Sequence, residues 1–128
     1  MKAYGRAAVA AAKLSGLRKA HSPIEAWRKS IAVEFPESKS MREKSGPRGA
    51  FLGLCEDERV IGVQAGRYTR SKLNKKYAVA AVRLLRLEPS LISDRAQLWL
   101  KVVGQSARAH NGQLDVVFGL WDAGLIVS

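Results

Sequence analysis

The chain has 128 residues, 47% of them hydrophobic and 26% charged, with 22 Lys plus Arg against 11 Asp plus Glu, a net charge of +11. That length suits one domain able to bury about two-thirds of its unfolded surface, and the apolar content excludes a wholly disordered basic protein. A lone cysteine, Cys55, excludes an internal disulfide and a cysteine-rich zinc site, and there is no apolar run of membrane-spanning length.

Residues 2–19 read as a first helix. Tyr4, Ala7, Ala8, Ala11 and Leu14 share one side at helical spacing, with Lys2, Arg6 and Lys13 opposite. The buried side is mostly small, so this helix is expected to pack closely on a neighbour. Residues 1–24 hold five basic residues and no acid. A transit peptide has the same composition, but the regular apolar stripe favours a folded helix. Lys13 interrupts the alanine run and argues against a signal peptide.

The second helix has the clearest start signal. Ser22, Pro23 and Glu25 make a capping box with proline at the first helical position. Ile24, Trp27, Ile31 and Phe35 form its apolar stripe, and Pro36 stops it. Residues 36–46 read as a polar loop. From Pro47 a short helix carries Phe51, Leu52, Leu54 and Cys55, ending at the acids Glu56, Asp57 and Glu58.

Residues 59–73 read as a basic hairpin or loop, with strands at Val60–Val63 and Arg67–Arg70 around Gln64-Ala65-Gly66. Ser71 or Asn74 caps a helix that runs to about Leu87. Tyr77, Ala78, Ala81, Leu84 and Leu85 cover one side of it, and Lys75, Lys76, Arg83 and Arg86 cluster on the other. Ser93 caps the next helix, whose stripe of Leu98, Trp99, Val102, Ser106, Ala109 and His110 carries it to the turn Asn111-Gly112. A last helix holds Leu114, Val117, Phe118 and Trp121, with Gly124 as a left-handed C-cap. A strand over Leu114–Trp121 is the alternative for that short apolar run.

The strongest functional signal is charge. From Arg59 to Leu87 there are eight basic residues and no acid: Arg59, Arg67, Arg70, Lys72, Lys75, Lys76, Arg83 and Arg86. Such a field attracts polyanions and speeds their encounter. Arg67, Arg70, Lys72, Lys75, Lys76, Arg83 and Arg86 suit phosphate contacts, and Tyr68 between two arginines suits stacking on a base. The bland alternative is a solvated face on a protein that is simply basic. A winged-helix reader has the right order of elements, but the acids of residues 56–58 would face phosphates and repel them. Contacts to backbone, with weak sequence selectivity, are the expected mode.

The other constellations are weaker. Cys55 and His110 are the only candidate nucleophile and base, yet Cys55 sits among Phe51, Leu52 and Leu54, where a thiolate is disfavoured. His110-Asn-Gly-Gln-Leu-Asp115 is the most polar cluster of the C-terminal half and reads as a ligand site or, more simply, an interhelical turn. No histidine pair stands at metal-ligand spacing, and Gly46-Pro-Arg-Gly49 lacks the ending of a phosphate-binding loop. Trp27, Trp99 and Trp121 each fall in an apolar stripe, as core residues do.

Three stretches carry a resemblance: Gly46-Pro-Arg-Gly-Ala-Phe-Leu-Gly-Leu-Cys-Glu56, Asn74-Lys-Lys-Tyr-Ala78 and His110-Asn-Gly-Gln-Leu-Asp115. With them the chain resembles a family of small bacterial proteins of unknown function, over a span from about Trp27 to the C-terminus. The resemblance implies a bacterial, cytoplasmic setting and assigns no catalytic residue.

These readings combine into an all-α fold, a single compact domain (residues 1–128) of five to six helices with room for one short β-hairpin. The leading function is a non-enzymatic module for nucleic acid or another polyanion, with no cofactor, metal or membrane. The alternatives are a small enzyme or ligand-binding protein with a site near Cys55, His110 and Asp115, and a subunit whose basic face meets an acidic protein.

Overall fold

The computed structural model describes residues 1–104 and 109–127. Its helices are α1 (Ala3–Gly16), α2 (Pro23–Glu34), α3 (Lys39–Arg42), α4 (Ser45–Glu56), α5 (Lys72–Leu87), α6 (Arg95–Val103) and α7 (Gln113–Asp122), with a 3₁₀ turn at Pro89–Ser93 before α6. Among the described residues there is no strand, so the fold is all-α. The buried side chains form one contiguous cluster drawn from α1, α2, α4, α5, α6 and α7.

Two close crossings organise the packing. α1 lies between α2 and α7, and α4 lies between α5 and α7. Where α1 crosses α7, a Cβ on Gly119 would lie 2.6 Å from the Cα of Gly5. The alanine side of α1 continues that contact, with Ala7, Ala8, Ala11 and Ala12 all buried. Where α4 crosses α5, a Cβ on Gly53 would lie 2.5 Å from the Cβ of Lys75, and one on Gly49 would lie 2.8 Å from the Cβ of Asn74. Backbones approach this closely only where side chains are missing, which brings α5 directly against α4. Trp27 stacks on Phe51 with centroids 5.4 Å apart and so ties α2 to α4.

The ends of the helices follow capping chemistry. The N–H of Glu25 donates to the Ser22 hydroxyl at 3.3 Å, as the sequence predicts for α2. The reciprocal half of the box differs, because the Glu25 carboxylate turns to Lys29 at 2.8 Å. α1 stops at Gly16 rather than residue 19. Arg18 takes positive φ, and the N–H groups of Arg18 and Lys19 return to the carbonyls of Ser15 and Leu14. α4 closes in the same way at Glu58 (φ 55°), and α7 closes at Gly124 (φ 71°), the expected C-cap.

Several expectations need correction. The polar stretch 36–46 contains α3, whose first turn is capped by the Ser38 hydroxyl accepting from the N–H of Met41 at 3.3 Å. α4 begins at Ser45, before Pro47. α6 is capped by Asp94, which accepts from the N–H of Gln97 at 3.1 Å, and not by Ser93. It ends at Val103, because Gly104 turns to φ 59° and ψ −127°. Of the residues placed on its continuation, Ala109 and His110 lie outside any helix, and Ser106 lies outside the described residues.

The hairpin does not form. Gly62 adopts φ 85°, which breaks the first strand, and Val60 instead makes an isolated antiparallel bridge to Ile126. The Ile61 N–H donates to the Leu125 carbonyl and the Val127 N–H to the Arg59 carbonyl, both at 2.9 Å. The amides of the would-be second strand are claimed elsewhere, by Glu56.

Candidate functional site

Glu56 ends α4, and its carboxylate holds three groups at once. One oxygen accepts from the N–H of Tyr68 at 2.7 Å and that of Thr69 at 3.0 Å, and the other meets the Lys75 ammonium at 2.9 Å. Burial alone would raise the Glu56 pKa. The Thr69 N–H, the Lys75 ammonium and the Tyr68 N–H outweigh it and hold the carboxyl below its ordinary range. This strut pins the extended segment 67–70 beside α5.

The result is an open groove of about 1110 Å³ between α4, the segment 67–70 and the first half of α5. Arg48 and Glu56 of α4, with Asp57 just beyond it, form one wall, and Arg67, Arg70, Lys72, Lys75 and Lys76 supply charge from the others. Val79 lines it as well, an apolar residue on the stripe of α5 that is otherwise basic.

The charges in this region divide into two groups. Lys75 sits between Glu56 (2.9 Å) and Asp57 (3.1 Å), and these carboxylates raise its pKa, so its charge is already matched. Arg59 turns inward, its Nε 3.9 Å from the Asp57 carboxylate and buried with no hydrogen-bond acceptor. Arg48, Arg67, Arg70, Lys72 and Lys76 are exposed and make no ion pair among the described residues. Arg83 and Arg86 are also exposed and unpaired among those residues. They continue the α5 stripe beyond the groove, starting about 10 Å along the axis from Lys76.

Tyr68 stands at the groove's edge, partly exposed. Its hydroxyl donates to the Gln64 carbonyl at 2.8 Å. Sequence reasoning missed two contributors. Glu56 was read as an acid that repels phosphates, whereas it is the strut that builds the site. Arg48 stands in the Gly46-Pro-Arg-Gly49 stretch, where the sequence assigns it no role. The signal for both was the spacing of Gly46, Gly49 and Gly53 along one side of α4, which marks the face that another helix approaches.

The polar cluster at the start of α7 is of a different kind. Leu114 donates its N–H to His110 Nε2 at 3.2 Å and Gly112 donates its N–H to Nδ1 at 3.4 Å, so the imidazole caps the start of α7. Its ring meets Trp99 edge-on at 5.3 Å, and Arg95 bridges Asp115 at 2.5 Å while lying 4.5 Å over the Phe118 ring. Burial lowers the His110 pKa, Asp115 opposes that, and Arg95 and Lys2 lower it further, so the ring is neutral at pH 7.

Beside it the three distinctive stretches of sequence meet. Gln113, 4% exposed, donates to Asn74 Oδ1 at 2.9 Å and accepts from the N–H of Asn111 at 2.8 Å. Asn74 donates in turn to the Ser71 hydroxyl at 2.7 Å and the Ser45 carbonyl at 3.2 Å. Ser71 is therefore the N-cap position of α5, but its hydroxyl serves Asn74 and not the helix. A Cβ on Gly46 would overlap the Asn111 carbonyl, so that residue completes the junction. These motifs are the joint of α4, α5 and α7.

Cys55 is fully buried, and burial with the neighbouring Glu56 charge pushes its thiol pKa far up. A nucleophile needs the opposite environment. His110 is committed to Leu114, Arg95 and Trp99. The structure thus gives these two residues separate packing roles. Among the described residues no three His, Cys, Asp or Glu side chains converge as a metal site, and no helix is long and apolar enough to cross a membrane.

The chain belongs to the family of unknown function DUF6979, whose match covers residues 1–127 and so takes in α1 as well as the stretch from Trp27 onward. No curated protein and no solved structure matches it.

Proposed function

We propose that the protein is a non-enzymatic binding module for nucleic acid or another polyanion, held mainly through phosphate contacts, and that it acts in the bacterial cytoplasm. The observation that carries this reading is the groove in which Arg48, Arg67, Arg70, Lys72 and Lys76 stand on facing walls and make no ion pair among the described residues. Holding like charges together costs free energy that an incoming chain of phosphates repays, with release of its condensed counter-ions. Arg83 and Arg86 extend the same field along α5 and serve encounter more than docking. Lys75 contributes position and little net charge, because Glu56 and Asp57 already match it. Cations that meet phosphates position a ligand without reading its bases, so weak sequence selectivity is expected.

The test is fluorescence anisotropy with labelled oligonucleotides on wild type and two charge-neutralised variants. Changing Arg67, Arg70, Lys72 and Lys76 to Gln should weaken binding severely. Changing Arg83 and Arg86 to Gln should weaken it a few fold. Undiminished binding by the first variant would remove the groove as the site. An acidic protein partner predicts no oligonucleotide binding by wild type at all.

A further inference from the structure

We infer that the nucleic acid taken by this groove is single-stranded, and that one of its bases passes over Tyr68 into a second recess on the far side of that ring. The inference rests on the polyanion reading above. Tyr68 borders two cavities, the basic groove and a neighbouring recess of about 630 Å³. The second is bordered by Ser15, Arg18, His21, Ser22, Glu58 and Gln64. The two spaces differ in chemistry. The groove presents unmatched cations, as a phosphodiester backbone requires. The recess presents an amide, hydroxyls, an imidazole and one charge of each sign, a mixture of donors and acceptors that suits the edge of a base.

The ring between them is held in place. Its hydroxyl is tied to the Gln64 carbonyl (2.8 Å) and its backbone N–H to Glu56 (2.7 Å). Gly66 lies directly against it, since a Cβ there would be 2.7 Å from the ring carbon that bears the hydroxyl. A partly exposed, braced aromatic at the edge of a cationic groove is the platform on which unpaired bases stack. A duplex keeps its bases inside and reaches neither the ring nor the recess. A polyphosphate has no bases to offer.

The ligands that separate these cases are a labelled single strand of about 12 nucleotides, the corresponding duplex, and inorganic polyphosphate as competitor. They are titrated against wild type, Tyr68→Leu, Tyr68→Phe and Gln64→Ala. The single strand should bind wild type more tightly than the duplex. Tyr68→Leu should weaken it about tenfold, the effect of losing one stacked base. Tyr68→Phe should keep most of the affinity, and Gln64→Ala should lower it severalfold. The inhibition constant of polyphosphate should be the same for all four proteins, which also reports that the groove is still folded. Equal affinity for single strand and duplex, with no effect of Tyr68→Leu, would overturn the inference and leave the polyanion reading intact. A loss confined to Tyr68→Leu would overturn the recess as the base site. Absence of binding to all three ligands would overturn the polyanion reading itself.

Discussion

The joint at the start of α7 and the groove between α4 and α5 are both rich in polar side chains, and they are built on opposite terms. In the joint, the side chains of Gln113, Asn74, His110, Arg95 and Asp115 find their partners in one another or in the backbone. In the groove, Glu56, Asp57, Lys75, Tyr68 and Thr69 do so, but five further cations face solvent without a counter-ion among the described residues. The closed region locks three helices, and the open one holds the unmatched cations to which the proposed ligand is assigned. Polar groups already satisfied within the fold contribute stability and specificity of packing. Groups held together and unsatisfied are the ones left for a partner.

This contrast can be broken most severely at the strut that the groove shares with the core. Glu56→Ala leaves the amides of Tyr68 and Thr69 and the Lys75 ammonium without their acceptor, and it should cost about 3 kcal/mol in chemical denaturation. A cost below about 0.5 kcal/mol would mean that segment 67–70 is held by something else. In the closed joint, Gln113→Ala removes two hydrogen bonds from a buried site and should cost about 2 kcal/mol. It should leave oligonucleotide affinity unchanged, whereas Glu56→Ala should change both.

Acid sharpens the comparison from another side. The His110 pKa is lowered in the folded protein, so the unfolded chain binds the proton more readily, and stability must fall as pH drops below about 6.5. The fall should level off once pH is below the folded value. Above the pH range where carboxylates such as Glu56 titrate, it should be absent from His110→Asn, which cannot titrate, and a pH profile identical in the two proteins would contradict the neutral cap. Smaller still is Ser22→Ala, at about 1 kcal/mol, since it removes the hydroxyl that accepts from the Glu25 N–H. Unaltered stability there would make α2's start independent of its cap.

What the sequence made legible was periodic or local. The alanine side of α1, the stripe of α2, the cap at Ser22 and the left-handed Gly124 all follow from spacing within one element, and all are present. The basic stripe of α5 was legible for the same reason. What was not legible depended on partners far along the chain. Lys75 was grouped with the free cations because its position on the helix says nothing of Glu56, 19 residues earlier. The hairpin was read from alternation and a glycine, while the competing acceptor for its amides lay in the preceding helix. α6 was extended to His110 because the apolar pattern continues, although Gly104 turns the backbone out of the helix.

The central claim is that the groove's cations serve a ligand and not the fold. It is tested most directly by measuring stability and salt-dependent oligonucleotide affinity together on the Arg67, Arg70, Lys72 and Lys76 to Gln variant. All four side chains are exposed and unpaired among the described residues, so unfolding free energy should stay within about 0.5 kcal/mol of wild type. Wild-type affinity should fall steeply with salt, and the variant should lose affinity and slope together, by about 0.7 log units per log unit of salt for each phosphate contact removed from a single strand. A variant that binds with the wild-type slope, or one that loses stability in place of affinity, would contradict the account.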